Sequence, residues 1–423
     1  MTQLARALEK ALLSHAVQNI VANIENKANH FLEGLYMMHK FLALMNLIVL
    51  LIIQVGCDKV QKVVTPKQEQ KILKIGFVVA GERVTYPNGA EMAVTEINQR
   101  GGLLGMPVEL IGHINKEAGP EVSIQIAETL IVEDEIIALI GPNRSSHAVE
   151  VAPVAQRYGI PMVTTTATNP NVTNAGDFVF MASFTDSFQG AVMAQFAIED
   201  LDTTTAAVIT RHGDLYTEGI SEFFALNFSK LGGKIVANEF YGGNSSDFTA
   251  QLTNIAAAKP DVLFASGFVQ DIAFITQQAR AMLLQNEAGE PTIFLGADSW
   301  DSELLFDNED AEVEGSFFSG HFSPDTDEPT ARAFVDTYES IYESTPTGGV
   351  AVSYDAVKLL FEAVERAGSL NPNEIREQLA ATENYIGATT IASYDEKRHP
   401  TKSAVIFTIK NGEKQFHKQI APF

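Results

Sequence analysis

The sequence predicts an α/β protein of two doubly wound lobes, each a parallel sheet covered by helices on both faces. Three observations carry that prediction. Short apolar strands alternate with amphipathic helices along most of the chain, a rhythm that favours parallel sheets buried on both sides. Roughly ten such strands are present, more than one twisted sheet holds comfortably. Near Gly320 the alternation stops, giving way to consecutive helices and a closing hairpin.

Ile72 to Val79 reads as the first strand. Gly89 to Arg100 follows as a helix with Ala90, Ala93, Val94 and Ile97 on one face, the spacing of a buried helical stripe. Gly101-Gly102 stops it. Val108 to Ile111 is a strand, Val122 to Glu133 a helix and Ile136 to Ile140 a strand. The helix Ser146 to Tyr158 and the strand Met162 to Thr164 complete this series. The rhythm restarts with a helix from Ser187 to Leu201 and the strand Ala206 to Thr210. Three pairs follow: Tyr216 to Leu231 with Ile235 to Tyr241, Phe248 to Ala258 with Val262 to Ser266, and Ile272 to Met282 with Thr292 to Leu295. Helices near 329–342, 351–366 and 372–381 then precede the strands Ala404 to Lys410 and Lys414 to Lys418. Asn411-Gly412 between those strands is a tight hairpin turn.

The first 70 residues read differently. A thirteen-residue apolar run, Phe41 to Ile53, follows the basic pair His39-Lys40 and leads through Gln54-Val55-Gly56 to Cys57, the only cysteine. A positive start, an apolar core and a small residue before the cut are the parts of a secretory signal. The core is shorter than the roughly 20 residues a membrane span needs. A cysteine directly after the cut resembles the bacterial lipobox, in which the thiol is acylated, although Gln54 stands where leucine is usual. The other reading is a buried cysteine after a plain anchor. Residues 1–36 fit no secretion signal, and Met37 and Met38 stand where a signal would begin. They are read as an upstream extension, with a cytoplasmic amphipathic helix as the alternative. Residues 37–56 are then the signal peptide and 57–70 a lipidated linker.

Charge limits the function. The chain carries a formal net charge of −24, and four basic against three acidic side chains fall in residues 1–57, so the acidic excess lies downstream. Nothing in such a domain neutralises phosphates, which excludes nucleic acid as a partner. A hydrophobic fraction of 46%, arranged periodically, marks a folded domain rather than a disordered acidic chain. With Cys57 spent on lipid, no disulfide is available, and stability rests on the core.

Ordered segments then carry a resemblance. They are Gly89-Ala90-Glu91-Met92-Ala93-Val94-Thr95-Glu96-Ile97-Asn98-Gln99-Arg100-Gly101-Gly102, Gly141-Pro142-Asn143-Arg144-Ser145-Ser146 and Met162-Val163-Thr164-Thr165-Thr166-Ala167-Thr168-Asn169-Pro170. Thr185-Asp186-Ser187-Phe188-Gln189-Gly190, Tyr216-Thr217-Glu218-Gly219, Gln278-Ala279-Arg280-Ala281 and Phe294-Leu295-Gly296-Ala297-Asp298 continue it. In order and spacing they resemble the Leu/Ile/Val-binding proteins, the type I periplasmic binding proteins of ABC importers, over nearly everything from Lys71 onward. The resemblance implies two Rossmann-like lobes joined by three crossings, near Asp186, Gly320 to Ser323 and Ala392, with a ligand in the cleft. Lobe 1 is then 71–186 plus 322–392, and lobe 2 is 187–321 plus 393–423.

Ligands bind at the carboxyl ends of strands in such sheets. Ser145 and Ser146 stand at the start of the helix after Ile136 to Ile140, where hydroxyls and free amides suit a carboxylate. The residues alone equally allow a serine that caps its helix. The resemblance makes Ser145 the carboxylate-binding serine, adds Thr168 to that grip, and gives the Thr166 carbonyl the ammonium; by residues alone these threonines are turn chemistry. It also makes Asp298 and Asp186 acids for the ammonium group, held by charge-assisted bonds, and Tyr216 and Phe268 aromatic contacts. Trp300 reads equally as contact or as packing. The segment Ala80 to Asn88 is shorter than the family's first loop, and Tyr86 stands as its candidate aromatic lid. Arg144 is unusual beside an apolar pocket: either a surface ion pair or a partner for a second acidic group on the ligand.

Enzyme signatures are absent: no Gly-x-Gly-x-x-Gly, Walker loop, Gly-x-Ser-x-Gly or His-Glu-x-x-His occurs, and no Cys/His cluster suits zinc. His147 lies two residues from Ser145, so their side chains diverge. No cofactor or metal is expected. The sequence therefore reads as an extracytoplasmic, lipid-anchored solute-binding protein that captures an amino acid, branched-chain or a related zwitterion, and delivers it to an ABC permease. A lipid-tethered sensor of the same fold, or a binder of a small amide or other non-amino-acid solute, is the alternative.

Overall fold

The computed structural model describes residues 34, 36–40, 42, 44–45, 71–81, 85–116, 119–306, 308 and 311–423. The chain divides into two compact units, Met1–Glu69 and Gln70–Phe423. In the first, the described residues between 34 and 45 are helical and exposed. The expectations for the upstream extension, the signal core, Cys57 and the linker lie outside the described residues or almost wholly so.

The second unit holds two sheets of like topology. In the first, β1 (Leu73–Ala80), β2 (Val108–Asn115), β3 (Ala138–Ile140), β4 (Met162–Thr164) and β5 (Val179–Met181) run parallel in the order β2-β1-β3-β4-β5. In the second, β6 (Thr205–Arg211), β7 (Lys234–Tyr241), β8 (Val262–Ser266), β9 (Ile293–Gly296) and β10 (Phe317–Gly320) repeat that order as β7-β6-β8-β9-β10. A small antiparallel sheet follows, made of β11 (Glu383–Ile386), β12 (Thr390–Tyr394) and β13 (Pro400–Thr401). The hairpin β14 (Ala404–Lys410) and β15 (Glu413–Ile420) then adds antiparallel to β10, turned by Asn411 and Gly412 at positive φ.

Burial explains why the inner strands are apolar on both sides. Ile75, Phe77 and Val79 face one core with helix α1 (Tyr86–Gln99). Val78 faces another with α2 (Glu121–Val132) and α3 (Ser145–Tyr158). In the second lobe Ala207 and Ile209 face one core and Ala206 and Val208 the other, the two-residue period of a doubly covered strand. Phe264 of β8 stacks 4.2 Å from Phe224, and truncating such a buried ring to alanine costs about 3–5 kcal/mol.

Three passages of chain join the lobes. After β5 the chain runs through Ala182 to Thr185 into α4 (Asp186–Gln195), whose Val192 and Met193 lie in a second-lobe core. After β10 it returns at His321, and Phe322 is already in the first-lobe core. The second lobe carries α5 (Leu215–Lys230), α6 (Thr249–Ala258), α7 (Val269–Ala281) and α8 (Glu303–Phe306). The helices α9 (Pro329–Tyr342), α10 (Gly348–Ala367) and α11 (Pro372–Ala380) follow the second passage and cover the first sheet. The third passage is Lys402-Ser403, ten residues beyond the position near Ala392 that the sequence suggested. Residues 393–401 stay with the first lobe: Tyr394 donates to the Met181 carbonyl at 2.8 Å and Arg398 to the Thr173 carbonyl at 2.8 Å. That placement rests on side chains gripping backbone carbonyls, for which sequence carries no periodic signal.

Other differences are local. Helix α1 starts at Tyr86, three residues earlier than expected, because Pro87 falls in its first turn, where proline is tolerated. The edge strand β2 runs on to Asn115 through exposed Gly112 and His113, which removes the apolar pattern that would mark its end. β5, β10 and the small sheet, at two to five residues each, are too short for periodicity to reveal.

Candidate functional site

The repeated strand order opens a crevice at the carboxyl ends of the strands in each lobe, and the two crevices meet at one cavity. It measures about 50 Å³ and is lined by Tyr86, Asn143, Arg144, Ser145, Ser146, Thr166, Asp214, Tyr216, Phe268, Asp298 and Ser299.

The first-lobe wall is built on the loop after β3. Asn143 locks that loop to the end of β1, accepting from Ala80 N at 2.6 Å and donating to Ala80 O at 3.2 Å. Ser145 opens α3 but does not cap it. Its Oγ instead accepts the amides of Thr168 and Asn169 at 3.2 and 3.1 Å, which leaves the hydroxyl proton to be donated elsewhere. Thr166 Oγ1 donates to the Asn143 carbonyl at 3.2 Å. Thr168 Oγ1 is buried without a hydrogen-bond partner.

The second-lobe wall is built around Asp298. Helix α5 (Leu215–Lys230) is capped by Asp214, which accepts the amides of Tyr216 and Thr217 at 3.0 and 3.2 Å. Capping sets the first turn so that Tyr216 OH donates to Asp298 Oδ1 at 2.8 Å and accepts Ser299 N at 3.2 Å. Gln189 Nε2 donates to Asp298 Oδ1 at 3.0 Å and to Ser319 Oγ at 2.8 Å. His321 Nε2 lies 3.2 Å from Oδ2. Burial pushes the Asp298 carboxyl up, but the hydrogen bond and charge of His321, with Tyr216 and Gln189, outweigh it and hold the acid below its ordinary value. Asp298 is therefore an anion.

Asp186 behaves in the opposite way. It is fully buried, and neither carboxylate oxygen has a hydrogen-bond partner. Burial drives its pKa well above the ordinary value; the nearby Thr168 hydroxyl opposes that, and the negative charges of Asp298 and Asp214 add to it. A carboxyl group so placed favours its neutral form, and a cation brought beside it would favour the charged one.

Aromatic rings close the remaining sides. Two guanidinium groups lie over the Phe268 ring, Arg144 at 4.8 Å and Arg211 at 5.1 Å from its centroid. Arg211 is also paired to Asp271 at 3.1 Å. Tyr86 lies flat against Gly349 of α10, where an added Cβ would stand 2.0 Å from the ring. Only glycine permits that approach.

Of the residues expected from the sequence, Ser145, Thr166, Tyr216, Phe268, Asp298 and Tyr86 line the cavity. Thr168 and Asp186 are buried and do not line it. Trp300 is a packing residue: it is fully buried, sits over Gly296, and donates to the Ala265 carbonyl at 3.2 Å. His147 hydrogen-bonds Ser123 at 2.9 Å. Sequence reasoning missed Asn143, Asp214 and Ser299 on the wall, and Gln189 and His321 behind it. Gln189 and Asn143 fall within the segments quoted above, so their positions were visible although their roles were not.

Chemically, one side of the cavity offers the first turn of a helix and a serine hydroxyl, which suit an anion. The other offers an ionised carboxylate, which suits a cation. Comparison with known proteins agrees with this two-lobed design. Residues 84–414 match the periplasmic binding protein family model. The chain is 29% identical over 289 residues to the Leu/Ile/Val-binding protein BraC3 of Rhizobium johnstonii, covering 68% of this chain and 76% of that one. It is 26% identical over 312 residues to the leucine-, isoleucine-, valine-, threonine- and alanine-binding protein of Pseudomonas aeruginosa, covering 73% and 80%. Among solved structures, the leucine-binding protein LivK of Thermotoga maritima aligns with a TM-score of 0.76 at 32% identity, over 83% of this chain and 99% of that one. The branched-chain amino acid transporter substrate-binding protein LivJ of Streptococcus pneumoniae, in complex with isoleucine, aligns with a TM-score of 0.76 at 27% identity, over 83% and 100%.

Proposed function

The chain belongs to the periplasmic binding protein family, and on that footing we propose that it is the extracytoplasmic solute-binding component of an ABC importer, with an amino acid as its ligand. The observation that carries the reading is the polarity of the cavity. Ser145 and the amino end of α3 meet the ligand carboxylate from one lobe, and Asp298 meets its ammonium from the other. The relatives named for binding Leu, Ile and Val support it. Because the two ends of the ligand belong to different lobes, bound ligand favours the closed arrangement by contacts that the open one lacks. Titration calorimetry of the purified protein against the common amino acids tests this. Binding of an α-amino acid, but not of its deaminated analogue, is the expected result, and no binding by any amino acid would sink it.

We further propose that Cys57 carries the lipid that keeps the protein at the membrane, in the periplasm or on the outer face of the cytoplasmic membrane. Cys57→Ala then releases the protein from the membrane fraction, and lipid label persisting on that variant would refute the assignment.

A further inference from the structure

We propose that His321 is a positioning residue for ligand recognition: by donating its Nε2 proton to Asp298 Oδ2, it fixes that carboxylate for the ligand ammonium. The inference rests on the amino-acid reading above and deepens it. His321 does not line the cavity, so it acts through Asp298.

Topology brings the two together. β9 and β10 are parallel neighbours, with Gly296 paired to Phe318. Asp298 and His321 leave the carboxyl ends of those strands side by side, and both side chains are buried. The imidazole packs against Phe184, ring centroids 4.1 Å apart. Its Nδ1 is buried with no hydrogen-bond partner, while Nε2 lies 3.2 Å from Asp298 Oδ2. Leaving a buried ring nitrogen unpaired is costly, so packing alone would favour phenylalanine here. What the imidazole adds is the Nε2 contact, and because Asp298 is an anion, Nε2 carries the proton.

The carboxylate is held at both oxygens. Oδ1 accepts from Tyr216 OH at 2.8 Å and Gln189 Nε2 at 3.0 Å, and Oδ2 accepts from His321. A carboxylate offers about four acceptor positions; with three filled by the protein, the remaining one is for the ligand. Burial pushes the Asp298 carboxyl up, and the hydrogen bond and charge of His321 lead the effects that hold it down. With His321 removed, burial meets less opposition, the carboxyl moves toward its neutral form, and a neutral carboxyl has no charge to offer an ammonium.

The other groups around the pair do not duplicate this role. Burial keeps the Tyr216 phenol neutral, and Asp186 and Asp214 are themselves acids. Asp301, beside Gly348 and His321, is paired to Lys414 at 2.5 Å. Lys402 shares a neighbouring cavity with His321 but donates to the Ala182 carbonyl and Thr389. Arg144 and Arg211 lie over Phe268.

Calorimetry with leucine, or with whichever common amino acid the parent binds most tightly, tests the proposal on His321→Leu and His321→Gln between about pH 5 and pH 8, where a raised carboxyl value would show. Each variant is compared with the parent at the same pH, which cancels the contribution of Asp186. His321→Leu should bind about ten-fold or more weakly at the acid end and recover toward the parent as pH rises and Asp298 ionises. His321→Gln, which keeps an N–H donor, should bind within about three-fold of the parent throughout. Parent-like binding by His321→Leu at every pH would overturn the proposal. So would a loss that neither pH nor His321→Gln restores, the mark of a structural role. If His321→Leu does not fold, nitrogen NMR of the parent imidazole decides: the proton should sit on Nε2, and a bare Nε2 would overturn the assignment. Failure of every amino acid to bind the parent would instead overturn the reading beneath it.

Discussion

Lys402 donates to the Ala182 carbonyl at 2.8 Å and to Thr389 Oγ1 at 2.9 Å, so the third passage between the lobes is tied to the first. Thr389 in turn donates to Asp355 Oδ2 at 2.6 Å, and Asp355 also accepts from Tyr385 at 2.7 Å. Phe184 of the first passage packs tilted against His321 of the second, ring centroids 4.1 Å apart, and His321 ends on Asp298. The joints of the molecule and the acid of its cleft form one connected set of contacts.

Lys402→Met leaves the Ala182 carbonyl without its partner, at a cost of about 1–3 kcal/mol. Burial holds the Lys402 ammonium down to about 8, against the pull of Asp355, where the ordinary value is 10.5. Between those two pH values the unfolded chain binds a proton that the folded chain lacks, so this residue's contribution to stability rises with pH. Denaturant unfolding at pH 8 and pH 10 should show the parent gaining on Lys402→Met at the higher pH. An equal difference at both would contradict the assignment.

Asp298→Asn keeps a hydrogen-bonding side chain but removes the charge. Loss of one member of a buried ion pair costs about 2–5 kcal/mol, roughly 30-fold to several thousand-fold in affinity. Titration of the best ligand should show at least the lower figure. Ser145→Ala should weaken binding less, because the amides of α3 remain, although it also removes the acceptor of the Thr168 and Asn169 amides.

Ligand binding should expel a proton from Asp186. Its raised pKa means that, taken alone, it favours the fold most fully below the ordinary value of 3.8, and that this contribution is lost as pH rises through the folded value. An incoming ammonium lowers that folded value, so binding releases the proton, and affinity climbs with pH across the same window. Calorimetry in buffers of different ionisation enthalpy measures the release directly. Asp186→Asn should bind with no dependence on the buffer.

Gly349→Ala would place a methyl 2.0 Å from the Tyr86 ring. Overpacking of this kind costs about 1–3 kcal/mol, and the ring must move, opening one side of the cavity. A lowered melting temperature together with weaker ligand binding is the expected pair of results. Unchanged affinity would show that Tyr86 does not close over the ligand.

Much of the design is legible in the residues. Strand β1 and the turn Asn411-Gly412 announce themselves by period and by turn chemistry, and the segment around Ser145 by its place after a strand. What escaped is what depends on contact across the fold. Nothing in the neighbourhood of His321 says that its ring reaches Asp298, since the two belong to different loops. Trp300 follows a strand as a ligand contact would, yet the missing side chain at Gly296 lets it turn inward. The passage at Lys402 was misplaced because the residues before it are held by side chains on carbonyls, not by an apolar stripe.

A chain that passes between its two halves three times is redundantly tied at its waist, as long as each half stays packed. A nick at Ala182–Thr185, at His321 or at Lys402-Ser403 leaves the halves joined by the remaining two strands, so cleavage there yields a clipped molecule rather than two fragments in solution. The same redundancy limits how the halves move. Independent tethers lying side by side resist twisting and leave bending about the line through them as the easy motion. The geometry of capture is thereby written into the connectivity before any ligand arrives.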